Sequence, residues 1–310
     1  MKLLITGAGG MLGLSLKKFA VAQGVDVLAP TRLEMDLLDE IATSRYIAFW
    51  QPDVIIHAAA RVGGISANIE YPLRYLSENI RMDINLLTVA KNLAIKSLVY
   101  IGSSCMYPKN IEHAMREHEI LTGPLEPTNE GYAMAKLVGW KMVRIIAEDS
   151  GLNWRTVVLS NLYGPNDHFE PERSHLLPAV IRKITEAKRK GNTSIDMWGD
   201  GLSRREFTYV EDAGEFLIES LALLQEFPVT LNVGSGVDYS VREYYELVAR
   251  ALNFTGSIIC DLTKPTGMQR KLMDSSMAEK LGWRPKTEIE SGIRQTLRWY
   301  QNYASELSVG

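Results

Sequence analysis

Tyr132 and Lys136 are the residues whose types and spacing most directly suggest chemistry, because they lie four positions apart in the segment YAMAK. In an α-helix this spacing puts both side chains on one face. A tyrosine hydroxyl titrates near 10, and a neighbouring ammonium stabilises the phenolate, so we expect Lys136 to lower the pKa of Tyr132. Tyr132 could then pass a proton to or from a substrate oxygen while hydride moves at the adjacent carbon. Such a pair also arises by chance, so its position in the fold matters.

Two serines, Ser103 and Ser104, directly follow an apolar segment at 97–102 that reads as a buried strand. In open α/β sheets, ligands bind at the carboxyl ends of the strands. A serine hydroxyl at this position could therefore hydrogen-bond the same substrate oxygen as Tyr132. Spacing alone does not choose between the two serines, and a structural role in the turn is the alternative for each.

A glycine turn, Gly7, Gly10 and Gly13, follows the first apolar segment at 3–6 and opens a helical pattern at 11–23. A dinucleotide pyrophosphate must approach backbone N–H groups at a helix N-terminus, and side chains would block that approach. The third glycine of such a turn lets the helix lie close to the sheet. In this strand–turn–helix setting the motif predicts a dinucleotide site rather than a purely structural turn.

Arg32 indicates which dinucleotide binds. Proteins of this type that prefer NAD usually carry an acid after the second strand, to bind the ribose 2′-hydroxyl. Here the strand at 25–29 runs into Pro30, Thr31 and Arg32, and a guanidinium suits a 2′-phosphate. We therefore expect NADP(H), although Glu34 and Asp36 lie close by and a solvated loop charge is the alternative for Arg32.

The elements that must position these residues alternate between short apolar segments and amphipathic ones. Strands are predicted at 3–6, 25–29, 53–58, 97–102 and 154–159, and helices at 11–23, 72–94 and 130–150. Continuous apolar strands that alternate with helices favour a parallel sheet covered on both faces. After residue 161 the loops lengthen, with strands at 230–233 and 257–261, a helix capped by Ser240 and a last helix near 288–303. We expect an α/β protein with a doubly wound parallel sheet of the Rossmann type and a smaller mixed α/β lobe. The first domain spans 1–165, with a return near 207–235, and 166–310 mainly binds substrate.

Composition excludes several classes of protein. The chain has 310 residues, a formal net charge of -3 and two cysteines, Cys105 and Cys260. A slightly acidic chain gives no reason to expect nucleic acid as a partner, and two cysteines form no disulfide framework. The first apolar run is too short for a signal peptide, and no run of about 18 apolar residues suggests a membrane span. We therefore expect a cytoplasmic protein, and we assign no residue to a metal.

The motifs together resemble the extended short-chain dehydrogenase/reductase family. Longer segments resemble, more specifically, the GDP-L-fucose synthase group of that family, over essentially the whole chain. These segments are RVGGI at 61–65, GSSCMYPK at 102–109, LEPTNEGYAMAK at 125–136, NLYGPND at 161–167, SHLLPA at 174–179, WGDG followed by RREF within 198–207, NVGSGVDYS at 232–240 and RKLMD at 270–274.

The resemblance implies roles for particular positions. Ser103, Tyr132 and Lys136 match the reductive triad, and Cys105 and His175 match the pair used for epimerisation. Positions implied to contact NADP(H) are Gly7, Gly10, Met11, Leu12, Gly13, Arg32, Asp36, Leu37, Ala59, Gly102, Ser103, Tyr132, Lys136, Asn161, Leu162 and His175. Positions implied to contact a GDP-linked keto-deoxysugar are Ser104, Lys183, Trp198, Arg205 and Lys271. A homodimer is also implied, through the helices near 72–94 and 131–150.

Two positions depart from the family pattern. Gly9 replaces a basic residue that is common in the glycine turn, so a 2′-phosphate would depend more on Arg32. Lys183 stands where arginine also occurs, which keeps the charge and loses the planar guanidinium.

The implied chemistry is a two-step epimerisation and reduction of a 4-keto sugar. Cys105 removes the acidic protons beside the ketone, and His175, whose ordinary pKa lies near 6.5, returns protons from the opposite face. Ser103 and Tyr132 then hold the enolate oxygen. The alternatives are a small core residue for Cys105, a surface residue at a helix start for His175 and simple packing for Trp198 instead of guanine stacking; Cys260 reads as structural.

Two other functions stay open at this stage. One is a related GDP-keto-deoxysugar epimerase/reductase, such as one that forms GDP-L-colitose from a substrate lacking one hydroxyl. The other is a non-catalytic protein that senses NADP(H) on the same fold. Such a sensor would have little need for Cys105, Tyr132, Lys136 and His175 together.

Overall fold

Strands and helices alternate through the first half of the chain. A computed structural model describes residues 1–171, 173–264 and 267–307. The strands are β1 Lys2–Thr6, β2 Asp26–Leu28, β3 Val54–His57, β4 Ser97–Ser103, β5 Asn153–Leu159, β6 Asn161–Tyr163, β7 Ser194–Trp198, β8 Arg204–Tyr209, β9 Thr230–Val233, β10 Asp238–Ser240, β11 Ser257–Asp261 and β12 Arg270–Lys271. The helices are α1 Met11–Ala22, α2 Glu40–Trp50, α3 Ile65–Glu70, α4 Pro72–Asn92, α5 Glu130–Ser150, α6 Leu176–Lys190, α7 Val210–Glu219, α8 Val241–Leu252, α9 Ser276–Lys280 and α10 Ile289–Leu307.

The main sheet is parallel and has the strand order β2-β1-β3-β4-β5-β9. Its central strands are apolar and buried along their length, as in the segment Leu3, Leu4 and Ile5. One face packs against α2, α4 and α5, and the other against α1 and α7. The doubly wound α/β class that the sequence indicates is confirmed.

The sheet order reverses between β1 and β3, which opens a crevice at the carboxyl ends of these strands. The glycine turn follows β1, and the serine pair follows β4, at this same edge. Helix α5 ends at Gly151 in the left-handed conformation, with φ of 66°, where the sequence indicates a helix stop. Helix α2 is not among the predicted helices, although Asp39 caps it by accepting the N–H groups of Ile41 and Ala42.

The remaining strands form two smaller sheets. In one, β8 is flanked by β10 and β12 and also pairs with β6; in the other, β11 pairs with β7. Helices α6, α8 and α10 cover them around a separate apolar core. The short β12 carries Lys271 toward the edge of the main sheet, where β4 ends. Among the described residues, we find no helix long and apolar enough to cross a membrane.

Candidate active site

The first turns of α5 place Tyr132 against the end of β4. The Ser103 hydroxyl is hydrogen-bonded to the Tyr132 phenol and also accepts the backbone N–H of Cys105 at 3.3 Å. Ser104, the other candidate, begins a short 3-10 turn and is only 3% exposed. The structure thus brings Ser103, rather than Ser104, to the phenol.

The pKa of Tyr132 differs from the sequence-based expectation. Burial raises the pKa of Tyr132 well above its ordinary value, nearby Cys105 and Asp83 raise it further, and the hydrogen bond from Ser103 lowers it. Lys136 does not produce the expected lowering. Its ammonium instead donates to the Ile101 carbonyl at 3.0 Å. The Tyr132 phenol therefore stays protonated near neutral pH, which suits a proton donor.

Cys105 lies in the 3-10 turn Ser104–Met106 and directs its sulfur at two donors from distant parts of the chain. The Asn129 side-chain amide is 3.1 Å from the sulfur, and the Lys271 ammonium is 3.2 Å from it. An ammonium and an amide N–H both stabilise negative charge on sulfur. Cys105 is also partly buried against the core of the main sheet, so its role as a base rather than a core residue stays a prediction.

His175 is the N-cap residue of α6 and is exposed in this structure. The surrounding protein and the positive charges of Lys271 and His168 together lower the pKa of His175 below its ordinary value. The pKa of His175 therefore lies below the ordinary value near 6.5, because the surrounding protein and the neighbouring ammonium disfavour the imidazolium. The charge of Lys271 acts on His175, and its ammonium contacts the Cys105 sulfur, so the three residues form one cluster.

The glycine turn has the shape that a dinucleotide needs. Gly7 has a φ of +70°, and a Cβ there would lie 2.8 Å from the backbone of Ala59. A Cβ at Gly13 would lie 2.1 Å from the Gly7 carbonyl oxygen. Gly10 begins α1 without a side-chain cap, which leaves the first N–H groups of Met11 and its successors for an anion. The residues present therefore fit a bound dinucleotide.

Arg32 lies beyond β2 with 67% of its side chain exposed, and its Nε is 3.2 Å from Asp36 Oδ2. Glu34, which weakened the case for NADP(H), turns back on its own loop and accepts the N–H and hydroxyl of Thr31. These bonds lower the pKa of Glu34. Asp36 also accepts the N–H of Leu38. The Arg32 guanidinium is thus the exposed positive charge of this loop, and it lies beside the exposed carboxylate of Glu34 and the partly exposed carboxylate of Asp36.

The residues implied to hold the sugar nucleotide fall into two groups. Arg205 lies close enough to Cys105 for their charges to interact, and Lys271 contacts the sulfur directly. Lys183 instead forms an ion pair with Asp196 at 2.8 Å. Trp198, 39% exposed, has the Lys264 ammonium 5.5 Å from its ring centroid. An exposed indole face is available for stacking on a guanine, whereas simple packing would bury it.

Other implied cofactor residues line the same edge of the sheet. The Asn161 amide donates to the Glu206 carbonyl at 2.9 Å, and Leu162 packs against the apolar core. Leu37 is buried, and Gly102 lies between Met106 and the side chains of β5. The roles of these positions stay predictions.

Sequence reasoning missed Asn129 and the buried residues His57 and Asp83. Asn129 is part of the segment LEPTNEGYAMAK, but only the fold brings its amide to Cys105. Asp83 could have been noticed, because it interrupts the buried face of α4 that carries Leu86, Leu87 and Ala90.

The chain is similar to known proteins both in sequence and in fold. Residues 3–234 match the model of a family described as "NAD dependent epimerase/dehydratase family". The chain is 43% identical to a GDP-L-colitose synthase from Yersinia pseudotuberculosis, over 97% of this chain and 98% of that protein. It is 44% identical to a GDP-L-fucose synthase from Azorhizobium caulinodans, over 96% of each. Among solved structures, a GDP-mannoheptose C4 reductase from Campylobacter jejuni with NADP bound is 28% identical, with a TM-score of 0.86 over 97% of this chain and 98% of that one.

Proposed function

The chain belongs to the NAD dependent epimerase/dehydratase family, and from this we propose that it is an NADPH-dependent epimerase and reductase. Its substrate is GDP-4-keto-6-deoxy-D-mannose, which it converts to GDP-L-fucose by inverting C3 and C5 and reducing C4. The relatives that act on GDP-linked sugars and align over nearly the whole chain support this substrate class.

One observation carries the proposal: a thiol and a phenol lie side by side, each with the donors that its task requires. The Cys105 sulfur faces Lys271 and Asn129, and the neighbouring Tyr132 phenol is bonded to Ser103. Epimerisation beside a ketone needs a base, and reduction of the ketone needs a proton donor. A protein that only senses a dinucleotide would need neither group.

In the epimerisation, the Cys105 thiolate removes the proton from C3, releases it to solvent while His175 takes one up, and then removes the proton from C5. The C4 carbonyl takes up the resulting negative charge as an enolate, which Ser103 and Tyr132 stabilise by hydrogen bonds. His175 returns a proton on the opposite face of the ring. In this structure the surrounding protein and the charge of Lys271 disfavour protonation of His175, and the substrate's anionic groups offset the charge of Lys271.

In the reduction, Tyr132 gives its proton to the C4 oxygen. Its raised pKa keeps that proton available at neutral pH. NADPH, when bound at the glycine turn, supplies the hydride for C4. Lys136, one helical turn beyond Tyr132, keeps a positive charge beneath the reacting groups.

NADP(H) is the cofactor because the corner beyond β2 presents the Arg32 guanidinium, while Glu34 is turned toward Thr31. A planar guanidinium matches a phosphate with two parallel hydrogen bonds. The 28% identical structure that holds NADP supports the same choice.

A second substrate is GDP-4-keto-3,6-dideoxy-mannose, because identity to the GDP-L-colitose synthase is nearly the same as identity to the GDP-L-fucose synthase. The two substrates differ by one hydroxyl at C3. Comparing their kcat/KM values with the same enzyme preparation decides between them.

The protein acts as a homodimer in the cytoplasm, with cofactor binding in 1–165 and the return near 207–235, and substrate binding mainly in 166–310. Helices α4 and α5 pack side by side and expose large apolar side chains. These are Leu73 at 72%, Ile84 at 42%, Met134 at 40% and Ile145 at 45% exposure. Pairing this surface with its copy would bury them.

The test is an NADPH oxidation assay with GDP-4-keto-6-deoxy-D-mannose, followed by NMR of the product. We expect one NADPH consumed per sugar and a product inverted at C3 and C5. A product that is reduced at C4 but unchanged at C3 and C5 would show that the protein is a simple reductase. No NADPH consumption with either keto sugar would refute the proposal.

A further inference from the structure

Beneath Tyr132 lies a buried polar network that the proposed chemistry does not use. Thr6, His57, Asp83, Tyr100 and Lys136 belong to five different elements, β1, β3, α4, β4 and α5, and each is at most 2% exposed. Burying charged groups is costly unless they are paired and hydrogen-bonded. The question is which charge this network supplies and for which group.

The hydrogen bonds give the network a direction. The Ala59 N–H donates to Thr6 Oγ at 3.2 Å, and the Thr6 hydroxyl lies 2.7 Å from His57 Nδ1. His57 Nε2 lies 3.0 Å from Asp83 Oδ1, and the Tyr100 hydroxyl donates to Asp83 Oδ2 at 2.6 Å. If Thr6 donates to Nδ1, the neutral His57 ring carries its proton on Nε2 and donates it to Asp83. Asp83 then accepts at both oxygens, which is the pattern of an ionised carboxylate.

The positive counterpart of this carboxylate is Lys136. Its ammonium lies 4.6 Å from the centre of the Tyr100 ring, and the hydroxyl of that ring donates to Asp83. Burial lowers the pKa of Lys136, and the negative charge of Asp83 raises it. Gly139 lets the Tyr100 and Asp83 side chains lie against α5, the helix that carries Lys136, because a Cβ there would lie 2.6 Å from Asp83 Oδ2 and 2.3 Å from the Tyr100 hydroxyl.

We propose that Asp83 is a positioning residue whose buried carboxylate keeps the Lys136 ammonium charged and held against β4, while His57 and Tyr100 hold the carboxylate as an acceptor. The inference rests on the proposed function only for the role of Lys136 in the reaction. Without Asp83, burial lowers the pKa of Lys136 further, so that the side chain becomes neutral and the positive charge under Tyr132 is lost.

Every titratable group that faces this network bears on the test. They are His57 from β3, Asp83 from α4, Tyr100 from β4, Tyr132 and Lys136 from α5, and Cys105, which acts on Tyr132 from the 3-10 turn. Burial lowers the pKa of His57 and raises the pKa of Tyr100 and of Tyr132, so these three stay neutral near pH 7. Asp83 and Lys136 are then the charged pair.

The direct test follows the side-chain carbon next to the Lys136 ammonium by NMR in protein labelled with ¹³C-lysine, with Lys136→Met identifying the signal. In Asp83→Asn we expect the titration midpoint of Lys136 to fall by about one unit or more. Tyr100→Phe, which removes one donor and keeps the carboxylate, should move it by less than half as much. An unchanged midpoint in Asp83→Asn would overturn the proposal.

A double-mutant cycle covers the case in which Asp83→Asn does not fold. If the two charges balance each other, the variant carrying both Asp83→Asn and Lys136→Met unfolds at a higher denaturant concentration than either single variant. A double variant that folds where Asp83→Asn does not also supports the proposal. Additive losses, or a double variant that fails to fold, would mean that Asp83 acts only through its hydrogen bonds.

Neither readout needs a substrate. In addition, the alkaline limb of the pH profile for NADPH-dependent reduction should move to lower pH in Asp83→Asn, while KM changes little. If the Lys136 midpoint falls as expected in Asp83→Asn but the protein turns over no GDP-linked keto sugar, the proposed function is refuted and this inference stands.

Discussion

Replacing Lys271 with methionine should slow the chemistry of Cys105 and leave the other thiol unchanged. The Lys271 ammonium lies 3.2 Å from the Cys105 sulfur, and the residue is 8% exposed. For two unit charges at this separation, an effective dielectric constant of about 20 gives an attraction of roughly 5 kcal/mol. Water and the Asn129 amide recover part of this when the ammonium is removed. We therefore expect the rate at which the Cys105 sulfur reacts with an electrophile to fall at least tenfold, which corresponds to about 1.4 kcal/mol.

The assay is alkylation by iodoacetamide near pH 7, because the thiolate is the species that reacts. Peptide mass spectrometry reads Cys105 and Cys260 separately in the same sample. Cys260 serves as an internal reference, since its sulfur contacts Arg242 at 3.0 Å rather than Lys271. Lys17→Met, at an exposed position of α1, is the matched control for the change in net charge.

We expect the Cys105 alkylation rate to fall at least tenfold in Lys271→Met, with Cys260 unchanged, and neither rate to change in Lys17→Met. An unaltered Cys105 rate in Lys271→Met would refute the reasoning that this contact stabilises the thiolate. A loss in both cysteines would indicate a general change in the fold instead.

Two further predictions concern the cofactor and the fold. Arg32→Ala should weaken NADPH binding about tenfold and leave NADH binding nearly unchanged, because an exposed charge-assisted contact contributes on the order of 1.5 kcal/mol; fluorescence titration measures both, and equal losses would contradict a 2′-phosphate contact. Burial raises the pKa of Glu206 from 4.5 to about 7, so the native state holds this proton more tightly than the unfolded state does. The resulting stabilisation is fully present below about pH 4.5, is lost as pH rises to about 7, and amounts to about 3 kcal/mol in total. Denaturant unfolding of Glu206→Gln should therefore show a flatter dependence of stability on pH across this window, and a slope equal to that of the original protein would contradict the assignment.

Much of the main sheet could be predicted from the sequence, because its elements carry local signals. The apolar segment of β1 and the glycines at 7, 10 and 13 predict the first strand and turn, and Gly151 marks the end of α5. Helix α2 escaped notice because its apolar spacing is weak, although Asp39 is a recognisable cap. The start of α6 also lacked a clear signal, since its N-cap residue, His175, does not cap the helix with its side chain.

The candidate site shows where local reasoning ends. Four-residue spacing indicates that Tyr132 and Lys136 share a face, but it does not give the direction of the lysine, which points to the Ile101 carbonyl. The pKa values of Tyr132 and His175 follow from desolvation and from Asp83 and Lys271, which tertiary contacts alone bring near. The contact between Cys105 and Lys271 joins residues 166 positions apart, so no pattern in the sequence could give its length.

The central claim is that Cys105 carries out proton abstraction and Tyr132 the reduction, as separate steps at one site. The most direct measurement is solvent deuterium incorporation at C3 and C5 of GDP-4-keto-6-deoxy-D-mannose, followed by NMR without NADPH. We expect Tyr132→Phe still to incorporate deuterium at both carbons, more slowly because one hydrogen bond to the enolate is lost, and to oxidise almost no NADPH when NADPH is added. Cys105→Ser should incorporate almost no deuterium; incorporation at the rate of the original protein would contradict the account.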